Sequence, residues 1–481
     1  MKNWKKVLMV STALLLTVGL AACGKKEKAT DEVPTLLMYQ IGDKPENYDQ
    51  LMEIANKQIE EKVGVKLNMQ YIGWGDYDQK MSVIVSSGEN YDIALAKNYV
   101  TNAQKGAYAD LTELMPKHAK AAYDMLDEAY IQGNTINDKL YAFPVNANIF
   151  AQQMITFNKQ FLDKYDLDIS KVENYEDLEP LLSVIKEKEP TVMPLSAGKG
   201  FRVERDFDYV LENGLPFAVD LKGDPEKIVN QFDVESHKAG LRTMHKYYEA
   251  GYVAKDASTS NTEYPLDSAT WFARQETQGP YDYGDTILTM AANQELVSKA
   301  ITEPLKATAN TQMASFVVSS SSKNVEKSVE LLGLLNSDPE LLNGLIYGIE
   351  GEAWEKVGDN RVKLLDGYGP NKHMAAWNTA NNAIIYVQES ITDEMIAERD
   401  RSIAEATASP ILGFIFETDT VKAEISNLNN VMSQYLDGLN TGTLDPDQAI
   451  PEMNAKLKTA GYEKVLTEMQ KQYDAFRAAQ K

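Results

Sequence analysis

Cys23 is the only cysteine in a chain of 481 residues, so its chemistry cannot be an intrachain disulfide or a thiolate-rich metal site. Its position gives it another use. Lys2, Lys5 and Lys6 form a positive amino-terminal region, residues 7–20 an apolar run, and the small residues Ala21 and Ala22 directly precede the thiol. That order is a secretory signal peptide, whose apolar run is too short to stay in a bilayer as a spanning helix. The other residue types that do chemistry are present without the spacing that chemistry needs. His118, His237, His245 and His373 form no HExxH pair, and the chain lacks both a GxSxG elbow and a GxxxxGK[ST] phosphate loop. Gly198-Lys199-Gly200 misses the third glycine of a dinucleotide loop. Ser320 and Lys323 satisfy SxxK only because four serines precede a lysine, and no acidic run has EF-hand spacing. Glycoside hydrolysis needs two carboxylates at a set separation, and among 71 acidic residues nothing selects a pair. The expectation is a protein that is not an enzyme and holds no metal or cofactor.

Leu20-Ala21-Ala22-Cys23 resembles the bacterial lipobox. The resemblance implies diacylglyceryl transfer to the Cys23 sulfur and cleavage before it, which removes residues 1–22. Two acyl chains anchor stably where one binds only marginally. Residues 23–34 are polar and pattern-free after the cysteine, as a flexible stalk would be. The expected location is the extracytoplasmic face of the cell membrane, on a Gram-positive surface. The net charge of −23 becomes about −26 once the three lysines of residues 1–22 are gone. That excludes nucleic acid, whose binding rests on basic contacts to phosphate, and disfavours strongly anionic ligands.

The elements that must position any site follow from periodicity. Residues 35–41 are a short apolar run fit for a buried strand; Leu51, Ile54, Ala55, Ile59 and Val63 repeat at helical spacing and stop at Gly64. Val65, Leu67, Met69 and Tyr71 alternate as a second strand, residues 81–85 read as helix, and residues 92–96 as a third strand. Strand, helix, strand, helix, strand predicts a parallel sheet with helical crossovers. A second α/β unit opens near residue 141, with strands at 154–157, 193–195 and 312–318 and helices at 159–165, 174–187, 235–250 and 325–335. Near the C-terminus, Val421, Ile425, Leu428, Met432, Tyr435 and Leu439 share one helical face. Asp445 and Pro446 then open another helix as N-cap and first residue, with Gln448 at the capping-box position, and Val465, Met469, Tyr473 and Phe476 form a last stripe.

Several segments in order resemble the family 1 extracellular solute-binding proteins of ABC importers, and within them the LplA-type lipoproteins. They are the lipobox, Ser86-Ser87-Gly88-Glu89-Asn90-Tyr91-Asp92-Ile93, the stretch 103–111, Tyr141-Ala142-Phe143-Pro144-Val145-Asn146 and the stretch 247–253. Asn336-Ser337-Asp338-Pro339-Glu340 and Gly348-Ile349-Glu350-Gly351 continue the match, and Pro410-Ile411-Leu412-Gly413-Phe414 resembles the start of a C-terminal domain of unknown function. The resemblance implies an α/β fold of two periplasmic-binding-protein-like lobes around a ligand cleft, plus a helical appendage. The boundaries expected are 35–147 with 300–350 for the first lobe, 148–299 with 351–409 for the second, and 410–481 for the appendage. It also implies a monomer with two partners, the subunits of an ABC permease and a small ligand, which is a sugar or, on the same fold, a peptide, an amino-acid derivative or a polyol phosphate. Ala353-Trp354 stands where the subfamily has a His-Tyr pair, so that pair's role is not carried over.

A cleft for a neutral sugar needs flat apolar faces and fixed polar groups, on loops that follow strands. Gly73-Trp74-Gly75-Asp76-Tyr77 follows the second strand and offers an indole beside a carboxylate. Trp74 and Asp76 are open to two readings, ligand contacts or a sheet-edge cap with a helix N-cap. Lys97 and Asn98 follow the third strand. Asn146 and Asn148 fall at the expected lobe crossing, where hinge and ligand hydrogen bonds are equally open. Arg202 ends a glycine-rich turn and fits either a ligand or a structural ion pair. The resemblance places a cleft-facing aromatic at Trp271, and Tyr281 and Tyr283 follow nearby. Glu350, Trp354 and Trp377 complete the candidates.

Overall fold

The computed structural model describes residues 33–480 apart from Glu263 and Pro370. Cys23 with the signal peptide, and all but the end of the expected stalk, lie outside the described residues.

Alternation in the first segment works as expected. Strand Lys66–Ile72 buries Leu67, Met69 and Ile72, pairs in parallel with Thr35–Ile41, and that strand pairs in parallel with Ile93–Leu95. The helix Tyr48–Val63 between the first two strands ends at Gly64, whose φ of 74° is the left-handed conformation that stops a helix. Ser315–Val318 and Ala142–Pro144 complete a five-stranded mixed sheet, Ser315–Val318 running antiparallel to both neighbours. This sheet and its helices hold one hydrophobic core, the first lobe.

The second lobe is built on a four-stranded sheet in the order Leu296–Ala300, Gln152–Asn158, Trp271–Gln278, Met193–Ser196. Gln152–Asn158 is antiparallel to both neighbours, whereas Trp271–Gln278 runs parallel to Met193–Ser196. The stretch 174–187 is a 3-10 turn, Tyr175–Leu178, capped by Asn174 and followed by the helix Glu179–Lys188 with Pro180 in its first turn.

Three segments cross between the lobes. Residues 145–151 and 301–314 join elements of the first-lobe core to elements of the second. The third crossing differs: it runs through the helix Asp393–Glu405 rather than near residue 350. Residues 351–391 stay with the first lobe, because Met374 and Ala380 are buried in its core. Gln40 donates to the Asn378 carbonyl at 2.8 Å and Asn381 to that of Asn336 at 3.0 Å. Leu305–Lys306 and Thr407–Ala408 pair in parallel where two crossings meet.

The C-terminal helices are present, but they are not a body apart. Leu428, Met432, Leu439, Met453, Leu457, Val465, Met469 and Tyr473 belong to the same buried core as Phe217, Leu241 and Met244 of the second lobe. Phe217 stacks on Tyr462 with centroids 5.3 Å apart, and the Tyr473 hydroxyl donates to the Pro225 carbonyl at 2.7 Å. Asp445 caps the helix Pro446–Ala460 by accepting from the Asp447 N–H, while the Gln448 side chain donates to the Asp445 carboxylate at 2.7 Å. No helix among the described residues is long and apolar enough to cross a membrane.

Candidate ligand-binding site

Trp74 sits on the turn after strand Lys66–Ile72, at the edge where the parallel strands of the first lobe end. Its indole is 55% exposed, an unusual state for so large an apolar surface. It is held by Trp377, whose ring stacks on it at 5.8 Å with 20° between planes and is itself 37% exposed. The two rings thus leave an apolar platform facing water. A groove of about 470 Å³ beside Trp74 is lined by Gly42, Asp43, Lys44, His373 and Asn378, among others.

Trp377 also lines a second cavity, of about 290 Å³, that lies between the lobes. The first lobe contributes Tyr347, Tyr368, His373 and Tyr386 to it, and the second lobe contributes Tyr281, Asp282 and Tyr283. Its rings are fixed from behind: the Tyr347 hydroxyl donates to the Tyr386 carbonyl at 2.6 Å, and Tyr368 stacks on His373 at 5.0 Å. Asn148 ties the first crossing to the opposite wall. Its Oδ1 accepts from the Tyr281 N–H at 3.0 Å and its Nδ2 donates to Asp282 at 3.3 Å. Burial pushes the Tyr281 hydroxyl up to about 12 and raises the Asp282 carboxyl above its ordinary value, against the hydrogen bonds from Gly279 and Asn148. No lysine or arginine is among the lining residues described for this cavity. The arrangement offers ring faces and hydrogen-bond groups to a ligand with little charge.

The sequence candidates divide accordingly. Tyr281, Tyr283, Asn148 and Trp377 line the interlobe cavity, and Trp74 lines the neighbouring groove, joined to the cavity wall by its stack on Trp377. Trp271 does not: it is 0% exposed, packed with Ala292 and Leu296, and its indole N–H donates to the Pro265 carbonyl at 3.0 Å. The placement expected from the resemblance is corrected, because the strand Trp271–Gln278 is internal to its sheet and its first side chain points into the lobe. Arg202 is corrected too, since its guanidinium pairs with Asp437 at 2.9 Å and fastens the C-terminal helices to the second lobe. Asp76 is exposed and pairs with Lys80 at 3.1 Å, making no side-chain cap to its helix. Asn98 is exposed, in left-handed backbone with φ 48°, and lines neither the groove nor the interlobe cavity. Lys97 pairs with Asp78 at 3.2 Å. Asn146 serves the crossing, donating to the Met125 carbonyl at 3.2 Å and accepting the Asn382 N–H at 2.7 Å. Trp354 is buried with its N–H on the Gly348 carbonyl, and Glu350 is exposed. Sequence reasoning missed Tyr347, Tyr368, His373 and Tyr386. The one signal was the density of aromatic residues between 347 and 386.

Two α/β lobes, three crossings and an aromatic cavity between the lobes define a solute-binding protein. The chain belongs to the bacterial extracellular solute-binding protein family, whose model matches residues 42–339, and residues 410–478 match a domain of unknown function, DUF3502. A carbohydrate ABC transporter substrate-binding protein of Streptococcus pneumoniae serotype 4 (strain TIGR4) is 56% identical, with 99% of each chain covered. The chain is also similar to crystal structures of the N-glycan transport solute binding protein NgtS from Streptococcus pneumoniae. One is 57% identical with TM-score 0.91, covering 93% of this chain and 100% of that one. The same protein in complex with Man1GlcNAc matches at 56% identity and TM-score 0.84, over 92% of this chain and 100% of that one. In complex with Man5GlcNAc the values are 57% and 0.80, over 93% and 99%.

Proposed function

We propose that this chain is the substrate-binding component of an ABC importer, which captures a neutral oligosaccharide between its lobes and delivers it to the permease. The observation that carries the reading is the interlobe cavity, with tyrosine faces from both lobes, Trp377 from the first, and no lysine or arginine among its described lining residues. Sugar rings present C–H faces that pack on aromatic planes, and hydroxyls that accept and donate to amide, hydroxyl and carboxylate groups. A phosphate or carboxylated ligand would need charged donors that this lining lacks. The complexes of the pneumococcal relative with Man1GlcNAc and Man5GlcNAc support oligosaccharides of that kind as the ligands to test first.

The mechanism is capture by closure: a ligand touching rings from both lobes binds the closed arrangement better than the open one, and so shifts the population. The fall in structural overlap from 0.91 to 0.80 at unchanged identity supports lobes that change their relative placement. In this reading Cys23 carries a diacylglyceryl anchor. It keeps a monomeric carrier on the extracytoplasmic face of the cell membrane, beside its permease.

Calorimetric titration with mannose–N-acetylglucosamine oligosaccharides, peptides and sugar phosphates tests the ligand class. Saturable binding of a neutral oligosaccharide without turnover supports it; binding of peptides or phosphates alone overturns it. For the anchor, Cys23→Ala should release the protein from cells and depress uptake while leaving affinity intact. Unchanged uptake by such cells would end that part of the reading.

A further inference from the structure

We propose that Arg399 is a positioning residue for the ligand-facing rings of the second lobe, aiming Tyr281 and Tyr283 into the interlobe cavity from the third crossing helix. The proposal rests on the oligosaccharide reading of that cavity. Arg399 lies within the helix Asp393–Glu405 and its side chain is 12% exposed. Its guanidinium carbon is 5.1 Å from the Tyr281 ring centroid and 5.7 Å from that of Tyr283. Nη1 donates to the Tyr283 hydroxyl at 2.8 Å, and Nη2 approaches Asp400 at 2.7 Å. One cation therefore covers two aromatic rings and hydrogen-bonds one of them.

The turn it grips needs holding. Tyr283 has φ 52°, a left-handed conformation that bulky residues disfavour and that persists where surroundings impose it. The turn also has room to relax wrongly. Tyr283 and Arg399 both line a further cavity, of about 520 Å³, with Phe150, Met395 and Glu398, and Tyr283 stands between it and the interlobe one. The guanidinium reaches Tyr283 from the side of that space, so the hydrogen bond and the ring contacts fix both rings from a helix that joins the lobes. Lysine would keep the attraction of a cation for the ring face but not the planar fork that reaches a ring and a hydroxyl together.

The test is a double-mutant cycle on the full chain, reading calorimetric affinity for a neutral oligosaccharide alongside the ligand-free melting temperature. Arg399→Met should weaken binding about tenfold and Arg399→Lys by less, against the scale on which ~1.4 kcal/mol is tenfold. In a Tyr281→Ala/Tyr283→Ala background Arg399→Met should cause no further loss, whereas combined with Trp74→Ala its effect should persist in full. Tyr283→Phe, which removes only the hydroxyl, should weaken binding about twofold at an unchanged melting temperature, so the proposal stays testable if Arg399→Met folds poorly. An equal loss from Arg399→Met with and without the two tyrosines overturns the proposal, as does a lowered melting temperature with unchanged affinity. A parent chain that binds no neutral oligosaccharide fails earlier, in the reading of the cavity itself, and takes this proposal with it.

Discussion

Trp74 and Trp271 are the same residue type at the two ends of strands, and they do opposite work. Trp74 leaves over half its surface in water on a stacked partner, so Trp74→Ala removes a ligand face and little of the core. We expect calorimetry to show affinity for the bound oligosaccharide falling about tenfold or more, ~1.4 kcal/mol per tenfold, with stability within about 0.5 kcal/mol of the parent as for other surface sites. Trp271→Ala empties a dry interior site, and a buried tryptophan truncated to alanine costs about 3–5 kcal/mol, which denaturant unfolding would register as a lower midpoint. Binding by whatever remains folded should be unchanged. Arg202 was open to two readings from its turn alone; the Asp437 carboxylate that decides between them lies over two hundred residues away, beyond the reach of local pattern.

At the scale of elements, strands and helix ends were largely legible. Alternation at Leu67 and Met69, the left-handed stop at Gly64 and the cap at Asp445 each depend on a few neighbouring residues, so a window of sequence contains their cause. How an element's apolar stripe is used was not legible. The helices between residues 421 and 479 have ordinary amphipathic faces, yet those faces complete the second lobe's core. Deleting residues 410–481 should expose Phe217, Leu241 and Met244 and prevent the lobe from folding, seen as lost near-ultraviolet circular dichroism and rapid proteolysis. A refoldable truncated chain would show the helices to be dispensable. A single methyl group makes the same point. Gly442 has φ 79°, and a Cβ there would stand 2.1 Å from the Met244 carbonyl oxygen. Gly442→Ala should therefore destabilise the protein by roughly 2–4 kcal/mol, combining overpacking with backbone strain.

Over the whole molecule, the third crossing decides where the cleft lies. By keeping residues 351–391 with the first lobe, it brings Trp377 to Trp74 and sets Tyr386 opposite Tyr281. The second lobe also carries two carboxyls that titrate late, half-buried Glu204 and buried Asp208, the latter against Ser409 just after the crossing strand Thr407–Ala408. Desolvation lifts Glu204 to about 7, against bonds from Asn213 and the charge of Arg202, and lifts Asp208 to about 6, against the Ser409 hydroxyl that donates to it. Both carboxyls hold protons more tightly folded than unfolded, so their contribution is complete below about pH 4 and is lost as pH rises through about 6 to 7. Buried His237 works the other way: desolvation lowers it to about 3, and the stability it withholds in acid returns as pH rises towards 6.5. Of these three groups, the two carboxyls lose more between pH 6.5 and 8 than His237 still regains. The melting temperature should therefore fall between pH 6.5 and 8, and Glu204→Gln should flatten that fall.

Residue order alone predicted α/β units and an amphipathic helical C-terminus, because hydrophobic period is a local property; the two lobes came from the resemblance to a known family. Residue order could not say which aromatic rings meet a ligand. A ring in a cleft and a ring in a core satisfy the same apolar pattern, and each strand only separates one face from the other. Whether a face turns towards its own lobe or towards the gap between lobes depends on where the chain crosses. That is why Trp271 went inside, while Trp377, Tyr347 and Tyr386 came to line the site.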